Sequence, residues 1–370
     1  MKILLLSCST GEGHNRCALA VQEALKKRGH TAEFLDMLQT FGGGNSPLSF
    51  EKLLNNVSQK TPALFGMIYH AGEMYSATNA TSPVYLANIR HAAQLHDFIL
   101  AHQYDAVVCS HLFPMETLTY LRRRAATLPR CYGVLSDYTC IPFLKETSLD
   151  RYFVPHADVA RECQAAGIPA EKLEAAGMPV SAAFQAPMSR LEAREKLHLP
   201  ADKKIYLIMT GGIGCGDAAA LCAAIRKVPA PDTLLCVLTG RNDELRQSLQ
   251  AAFPGNEQLL TVPFTDQVAV YMRAADVLLS KAGGISSSEA AILGAPLVHT
   301  MVIPGVETLN ARFFAAHGMS LFAQNADEAA RCADRLIYDT AMAFRMLAAQ
   351  KACLPSNGAE RIAQAIEAGA

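Results

Sequence analysis

Short apolar runs alternate with stretches of helical periodicity along the first half of the chain. The runs that we predict as strands are KILLLSC, TAEFLD, YDAVVCS, RCYGVLSD and RYFVP. After the first of them, HNRCALAVQEALKKRG places its apolar residues on one face of a helix. Strands of a parallel sheet are continuous apolar runs because helices cover both faces of the sheet. The alternation therefore predicts a parallel sheet covered by helices.

The same alternation restarts after residues 177–187, which contain two prolines and no helical period and which we interpret as a linker. Five strand-then-turn units follow: KIYLIMTGGIGCGD, TLLCVLTGRND, QLLTVPF, DVLLSKAGG and PLVHT. The pattern predicts an α/β protein with two doubly wound, Rossmann-like domains that face a cleft, over residues 1–180 and 181–370. Residues 41–100 form a helical insertion in the first domain, and the last helix, about 357–368, is predicted to pack on that domain.

Length and composition agree with two globular domains. A chain of 370 residues is long for one compact core, and 51% of its residues are apolar. The net charge of −1 argues against a nucleic-acid partner. The 11 cysteines include no Cys-x-x-Cys pair, so we interpret Cys8, Cys109 and Cys236 as buried apolar residues in a reducing compartment. Since no apolar run reaches about 18 residues, we predict a cytoplasmic protein or one peripheral to the inner face of the plasma membrane.

Three glycine turns come directly after predicted strands and open predicted helices. They are Gly11-Glu12-Gly13-His14, Gly211-Gly212-Ile213-Gly214 and Gly283-Gly284-Ile285-Ser286. A helix N-terminus has unpaired N–H groups and a partial positive charge, and glycine lets a phosphate approach it closely. One such turn is ordinary in any βα unit. Two of them in the second domain, at strands that are not consecutive, favour a bound anion.

Residues 280–298, SKAGGISSSEAAILGAPLV, support the same interpretation. The hydroxyls of Ser286, Ser287 and Ser288 can cap the helix and donate to a phosphate. Glu289, which we place in the first helical turn, can accept from the two hydroxyls of a ribose. The segment thus suits a nucleoside diphosphate. Because Asp-x-Asp does not occur in the chain, we predict no metal and no cofactor, with amide dipoles neutralising the diphosphate.

A dinucleotide is the alternative ligand. Gly11 and Gly13 follow the first predicted strand, and Asp36 ends the second at about the spacing of a dinucleotide-binding fingerprint. Cys17 and Ala18 occupy the neighbourhood of the third glycine of that fingerprint. This pattern keeps an NAD-dependent oxidoreductase among the functions to be considered.

A series of short motifs comes in the order of a known family. They are STGEGH at 9–14, SHLFP at 110–114, LSDYT at 135–139, DRYFVP at 150–155, AAGMPVSAAF at 175–184, TGGIGCGD at 210–217, LTGRN at 238–242, VPFTDQVAVYMRAADVLLSKAGG at 262–284 and IPGVETLNARFF at 303–314. With them the chain resembles GT-B glycosyltransferases, in the branch of monogalactosyldiacylglycerol synthase, processive diacylglycerol glucosyltransferase and the muropeptide N-acetylglucosaminyltransferase. The resemblance covers nearly the whole chain. It implies an inverting, metal-independent transfer of a hexose from a UDP-sugar to an acceptor hydroxyl.

The resemblance also implies site residues. Those for the UDP-hexose donor are Gly212, Gly214, Arg241, Phe264, Gly284, Ser286, Ser287, Glu289, Glu307 and Asn310. In this set the glycines and serines approach the diphosphate, the Arg–Phe pair borders the uridine, Glu289 holds the ribose, and the last two residues contact hexose hydroxyls. Those for the acceptor are Gly11, Gly13 and His111. His14 is the candidate base, because histidine titrates near neutral pH, and Asp137 is a second catalytic candidate.

Three departures from the family pattern bear on the substrates. Val306 stands where relatives commonly have glutamine, Ile141 and Leu144 replace a histidine and a tryptophan of lipid-glycosylating relatives, and Glu12 places an acid in the acceptor turn. We predict a lipid acceptor such as diacylglycerol. The alternatives are a non-lipid acceptor, NAD-dependent redox chemistry and non-catalytic nucleotide-sugar binding. The ordered N-terminal motifs argue against a UDP-sugar 2-epimerase, which shares this fold.

The insertion is also a candidate membrane-binding surface. Its apolar residues include Leu53, Leu54, Leu64, Phe65, Met67, Ile68 and Tyr69. Basic residues that could meet anionic headgroups are Lys52, Lys60, Arg122, Arg123 and Arg124. Packing of the same apolar residues in a protein core is the equally weighted alternative.

Overall fold

The computed structural model describes residues 1–9, 12–41, 62–76, 81–212, 217–227, 232–253, 258–300 and 302–369. In these ranges the chain forms two compact units, each built on a six-stranded parallel sheet. The first unit comprises Met1–Ser181, Pro304–Val306 and Pro355–Ala370, and the second comprises Ala182–Ile303 and Glu307–Leu354. The predicted α/β fold class with two parallel sheets is confirmed.

The first sheet contains every strand predicted for the N-terminal half. Its strands are β1 Lys2–Ser7, β2 Thr31–Asp36, β3 Ala106–Cys109, β4 Arg130–Val134, β5 Arg151–Val154 and β6 Leu173–Ala175. All pair in parallel, in the order β2-β1-β3-β4-β5-β6. The apolar runs form the core, as in β1, where Ile3, Leu4, Leu5 and Leu6 are fully buried. The edge strand β6 is not among the predicted strands because Leu-Glu-Ala contains no apolar run.

Helices connect these strands. They are α1 Glu12–Lys27, α2 Met37–Phe41, α3 Pro62–Ser76, α4 Pro83–Asn88, α5 Ala92–His102, α6 Leu112–Arg123 and α7 Ala157–Ala165. Helix α1 buries Cys17, Val21 and Leu25 on one face, as its periodicity predicts. Helices α3 to α5 belong to the predicted insertion. Its residues 42–61, with Lys52, Leu53, Leu54 and Lys60, lie outside the described residues, as do the side chains of Leu64 and Phe65.

The second sheet repeats this construction. Its strands are β7 Lys204–Met209, β8 Thr233–Gly240, β9 Leu259–Pro263, β10 Val277–Ser280, β11 Leu297–His299 and β12 Leu321–Phe322, in the parallel order β12-β11-β10-β7-β8-β9. Its helices are α8 Arg190–Lys196, α9 Ala218–Arg226, α10 Asp243–Ala252, α11 Val268–Ala274, α12 Gly284–Leu293, α13 Val306–Ala316, α14 Ala326–Tyr338 and α15 Thr340–Cys353. The strand β12 and the helices α8, α14 and α15 are additional to the predicted elements.

Each sheet has a point at which its strand order reverses. In the first sheet this point lies between β1 and β3, and in the second it lies between β7 and β10. Ligands of open α/β sheets bind outside the carboxyl ends of the strands at such switch points. Met209 at the end of β7 pairs with Ser280 at the end of β10. The glycine turns that follow these two strands, which are far apart in sequence, are therefore neighbours.

The last helix, α16 Gly358–Gly369, belongs to the first unit and packs against α1. Arg28, directly after α1, forms ion pairs with Glu360 and Glu367 of this helix. Gly358 opens the helix in close contact with the backbone of Met178. The chain thus leaves the first unit near residue 181, contributes Pro304–Val306 to it, and returns to it for the last helix at Pro355.

We expect Gly358→Ala to lower the Tm of the protein. A Cβ atom at Gly358 would lie 2.5 Å from the carbonyl oxygen of Met178, which is closer than two such atoms can approach. Overpacking of this kind costs about 1–3 kcal/mol. Thermal unfolding measures the effect, with Gln364→Ala on the exposed face of the same helix as the control. Equal stability of the two variants would contradict the described packing of α16.

Candidate active site

The switch point of the first sheet brings two predicted residues together. His14 lies in the first turn of α1, which follows β1, and His111 follows β3. Their ring centroids are 4.5 Å apart and their ring planes meet at 80°. Gly13 lies in the same helical turn as His14, whereas Gly11 lies outside the described residues. The predicted base and one predicted acceptor residue therefore share one site.

Hydrogen bonds fix the protonation of the His14 ring. Its Nδ1 lies 3.0 Å from the carbonyl oxygen of Ser110 and 2.9 Å from Oγ of Ser136. A carbonyl oxygen only accepts, so Nδ1 carries a hydrogen and Nε2 of the neutral ring keeps its lone pair. Burial lowers the pKa of His14 below its ordinary value, and the charge of Asp137 partly opposes this shift. The ring is therefore neutral at neutral pH and can accept a proton at Nε2.

Asp137 lies in the same cluster as His14. Its Oδ2 is 3.2 Å from Oγ of Ser136, the hydroxyl that contacts the His14 ring. Burial and, to a lesser degree, the charge of Asp137 raise the pKa of the Cys17 thiol one turn along α1. The thiol of Cys17 therefore stays protonated. Through their contacts with Ser136, the two predicted catalytic residues His14 and Asp137 lie in one cluster.

His111 has a structural task in addition to its predicted contact with the acceptor. It is the N-cap of α6, where its Nδ1 accepts from the N–H of Phe113 at 3.2 Å. The side chain is buried, with 8% of the residue exposed. Burial lowers the pKa of His111 well below its ordinary value, and the neighbouring His14 adds to this shift. His111 therefore packs beside the candidate base as a neutral ring.

Asp36, the acid of the dinucleotide alternative, is occupied within the fold. Its Oδ2 accepts from the hydroxyl of Ser9, and its Oδ1 accepts from the N–H of Gln39 at 3.0 Å. Asp36 thereby caps the short helix α2. Because Asp36 has this structural task, its position after β2 gives the NAD-dependent alternative no specific support.

The switch point of the second sheet is built from glycine turns. Gly211 follows β7 with a φ of +80°, a conformation that favours glycine. The carbonyl of Gly212 accepts from the N–H of Arg241 at 3.0 Å. Gly240 packs so closely that a Cβ atom there would lie 2.6 Å from the carbonyl oxygens of Gly211 and Gly212. Gly283 is the N-cap of α12, so the N-terminus of that helix lies at the same edge of the sheet.

Helix α12 begins earlier than predicted. Gly283 rather than a serine is its N-cap, so the predicted capping by the three serines is wrong. Oγ of Ser287 lies 2.9 Å from Nε2 of the buried His299, and the hydroxyl of Ser288 donates to a carbonyl of its own helix. Ser287, a predicted phosphate contact, thus uses its hydroxyl in the protein interior. Ser286 is the serine of this run that is partly exposed.

Glu289 lies in the second turn of α12 and not in the first, because the helix begins at Gly284. It is 2% exposed, and Gly284 is also buried. A ribose would reach Glu289 only by displacing groups that now cover it. Gly214, the second predicted diphosphate glycine, lies outside the described residues.

Lys281 is a site residue to which the predicted motifs did not point. It follows β10 directly, and a Cβ atom on Gly211 would lie 2.9 Å from its Cε, so its stem runs along the turn after β7. Its ammonium group forms an ion pair with Glu307, which also accepts from the N–H of Ile303 at 3.0 Å. The signal in the sequence is a cation between a strand and a glycine turn. A cation here adds to the helix N-terminus as a site for a diphosphate.

Two of the predicted uridine contacts form a cation–π pair. The guanidinium carbon of Arg241 is 4.0 Å from the ring centroid of Phe264, which is 48% exposed. An exposed flat pair of this kind can border a nucleobase. Asn310 differs, because it is fully buried and its amide donates to the carbonyl of Ala282 at 3.0 Å. In this structure Asn310 supports the glycine turn from inside and does not face solvent.

The two switch points therefore offer different chemistry. The first carries an imidazole that can take a proton, and the second carries amides, a cation and an aromatic face that suit a nucleotide. Along the described ranges, each helix is too short or too polar to cross a lipid bilayer.

Comparison with known proteins agrees with this division. Residues 14–180 match the family model of monogalactosyldiacylglycerol (MGDG) synthase, and residues 210–366 match that of the glycosyltransferase family 28 C-terminal domain. A processive diacylglycerol beta-glucosyltransferase from Bacillus cytotoxicus is 28% identical over 325 residues, which cover 86% of this chain and 81% of the relative. These matches confirm the resemblance inferred from the ordered motifs.

Solved structures show the same fold at lower identity. MurG from Acinetobacter baumannii aligns with a TM-score of 0.63 and 16% identity, covering 100% of both chains. The UDP-GlcNAc 2-epimerase from Neisseria meningitidis, bound to UDP-GlcNAc, aligns with a TM-score of 0.63 and 14% identity, also covering 100% of both chains. At these identities the likeness establishes the GT-B fold alone.

Proposed function

Because the chain belongs to the glycosyltransferases, with an MGDG synthase domain followed by a family 28 C-terminal domain, we propose that it transfers a hexose from a UDP-sugar to a lipid hydroxyl such as that of diacylglycerol. The observation that carries the proposal is the pairing of β7 with β10, which sets two glycine turns, a helix N-terminus and Lys281 at one switch point. Such a site suits a nucleoside diphosphate. The names of the Bacillus relative and of the UDP-GlcNAc complex support the two substrates.

In the proposed donor complex the diphosphate lies against the amides of Gly212 and Gly284. The ammonium group of Lys281 turns from Glu307 to the diphosphate, where its charge is needed as the leaving group forms. The carboxylate of Glu307 then accepts from hydroxyls of the hexose. The ion pair of the free protein thus keeps both groups in place until the donor separates them.

The nucleoside occupies the neighbouring part of the same domain. Uracil stacks on the exposed ring of Phe264, with Arg241 on its other side, and the ribose hydroxyls donate to Glu289. Stacking on an aromatic ring and bonding to a carboxylate together distinguish a uridine nucleotide from a free phosphate. Loss of UDP affinity in Glu289→Gln, despite the burial of this residue, tests the assignment of the ribose.

On the acceptor side, Nε2 of His14 takes the proton of the acceptor hydroxyl as its oxygen attacks the anomeric carbon. The new C–O bond forms as the bond to UDP breaks, and UDP leaves with that electron pair. A single displacement of this kind inverts the anomeric carbon. The Bacillus relative is named for a beta-linked product, which is the product of inversion from an alpha-linked UDP-sugar.

We further propose that the transfer needs no metal ion. The chain has no Asp-x-Asp sequence to bridge a divalent cation and a diphosphate. Lys281 and the N-terminus of α12 supply positive charge in its place. Full activity in excess EDTA would support this assignment, and activity lost to EDTA and restored by Mg²⁺ would contradict it.

The lipid acceptor has support from the surface of α3. Exposed apolar side chains of this helix are Met67, Ile68, Met74 and Tyr75. The predicted headgroup contacts Arg122 and Arg123 are used within the fold, because Arg122 pairs with Asp150 and Arg123 donates to the carbonyl of Glu146. We therefore propose that α3, and not these arginines, meets the membrane. Sedimentation with vesicles of anionic lipid, compared for wild type and Met67→Ser/Met74→Ser, tests this contact.

A transfer assay tests the proposed function and its alternatives. The purified protein is incubated with labelled UDP-glucose, UDP-galactose or UDP-GlcNAc, with diacylglycerol in vesicles or with a soluble hydroxyl acceptor. We expect label in the lipid extract. Label on the soluble acceptor alone would favour the non-lipid alternative, which the replacement of the family histidine and tryptophan by Ile141 and the fully buried Leu144 supports. An epimerised free sugar nucleotide would contradict both.

A further inference from the structure

On the basis of the proposed function, in which His14 is the base, we propose that Ser136 is a positioning residue that links His14 to the carboxylate of Asp137. Ser136 lies between the two groups, 2.9 Å from Nδ1 of His14 and 3.2 Å from Oδ2 of Asp137. Ser136 itself was predicted neither as the base nor as the acid. Its role is to hold the His14 ring beside the carbonyl of Ser110 and to carry the charge of Asp137 to the ring.

The chemistry of the acceptors sets the direction of each hydrogen bond. The carbonyl of Ser110 requires a hydrogen on Nδ1 of His14, so the Ser136 hydroxyl, at the same nitrogen, is an acceptor from the ring. Its own hydrogen is then available to Asp137, whose ionised carboxylate only accepts. The hydrogen bonds therefore run from the N–H of the His14 ring to the Ser136 hydroxyl, and from that hydroxyl to the carboxylate of Asp137. With Nδ1 as the donor, Nε2 is the atom left to take the acceptor's proton.

Burial strengthens the hydrogen bonds that link His14, Ser136 and Asp137. Ser110 is 3% and Ser136 is 7% exposed, and hydrogen bonds in such surroundings are electrostatically stronger than in water. Asp137 is the acid whose charge acts on His14, from the loop after β4. His111, from the β3 side, is held neutral, and the Cys17 thiol of α1 stays protonated. The remaining charged groups of the first turns of α1 are Glu12 and Arg16.

The hydrogen bonds between His14, Ser136 and Asp137 matter most when the proton of the acceptor is transferred. His14 becomes a cation as it takes the acceptor's proton at Nε2, and its Nδ1–H then donates more strongly toward Ser136 and Asp137. A carboxylate that stabilises an imidazolium through its second nitrogen is the arrangement of a catalytic triad, here with a hydroxyl inserted between acid and base. Ser136 thus affects the reaction without touching the substrate.

The direct test is a titration of His14 by NMR in the full chain with ¹⁵N-labelled histidine. In wild type we expect a neutral ring protonated at Nδ1. In Ser136→Ala we expect the same tautomer, because the carbonyl of Ser110 still accepts from Nδ1, and a pKa of His14 lower by about 0.5 or more. Ser136→Thr, which keeps the hydroxyl, should restore the wild-type behaviour. Thr139 lies in the same loop as Ser136, and its buried hydroxyl donates to Glu162. Thr139→Val removes this hydroxyl and should leave the titration of His14 unchanged.

A double-mutant cycle decides whether the hydroxyl carries the charge. Asp137→Asn should lower the pKa of His14 in wild type and change it little in Ser136→Ala. The acid limb of the kcat/KM profile should shift to lower pH in parallel, with kcat reduced about tenfold. An unchanged pKa of His14 in Ser136→Ala, or an undiminished effect of Asp137→Asn in that background, would overturn the proposal. The titration needs no substrate. Failure of transfer in wild type would therefore count against the proposed function and not against the role of Ser136.

Discussion

Replacing His14 by alanine is expected to lower kcat by about 10²–10⁴-fold, the usual contribution of a general base. The acceptor hydroxyl then loses the one imidazole placed by Ser110 and Ser136 with its Nε2 lone pair available. UDP affinity is expected to stay unchanged, because the proposed nucleotide site lies at the second sheet. A loss of turnover without a loss of nucleotide binding is the signature of a group that acts on the acceptor.

Initial rates with a UDP-hexose and a lipid acceptor, together with calorimetry of UDP, measure these two effects separately. His102→Ala, at an exposed histidine at the end of α5, is the control for loss of an imidazole. Near-normal turnover of His14→Ala would remove His14 from the mechanism. The wild-type enzyme should also keep its activity as the pH falls to about 6.5, the ordinary pKa of histidine, since the pKa of His14 is lowered and its neutral form persists.

Replacing Lys281 by methionine is expected to lower kcat/KM by about 10²–10³-fold, the cost of removing one group that stabilises developing charge. The leaving UDP would lose the cation that lies along the Gly211 turn. Glu307, 7% exposed, would stay near the diphosphate without the cation that now pairs with it. In contrast to His14→Ala, Lys281→Met should lower the affinity for UDP as well as the rate of transfer.

Glu307→Gln is the matched control, because it breaks the same ion pair and keeps the cation. We expect this variant to bind UDP as well as wild type does, while Lys281→Arg should retain part of the activity. Thermal unfolding of the variants shows that each is folded. If Lys281→Met and Glu307→Gln lost UDP affinity equally, the ion pair would be a support of the fold, and the assigned role of Lys281 would be wrong.

The apolar runs were sufficient to predict the strands of both sheets except the edge strands β6 and β12, because a parallel strand buried on both faces leaves an unbroken apolar signature in the sequence. They could not show that β10 lies beside β7, since pairing between distant strands has no local signature. Ser136 was not predicted as part of the site, because the family resemblance pointed to its neighbour Asp137 and its own contact with His14, 122 positions away, has no local signature. Lys281 became visible as a site residue only once the Gly211 turn was beside it.

The helix boundaries explain the predictions of side-chain contacts that the structure does not show. Serine caps helices more often than it occurs inside them, yet Gly283 is the cap of α12 and the serines lie within the helix. Each residue along a helix turns the side chain by about 100°. A start a few residues earlier therefore directs Ser287 to His299 and places Glu289 one turn further from the helix N-terminus.

A crystal structure with saturating UDP shows whether the carboxyl edge of the second sheet binds the nucleotide. We expect the diphosphate between the turn of Gly211 and Gly212 and the N-terminus of α12, with Lys281 turned from Glu307 toward it and uracil on the ring of Phe264. UDP bound instead beside Gly13 and His14, or a second switch point that stays empty while UDP is in excess, would rule out the proposed donor site.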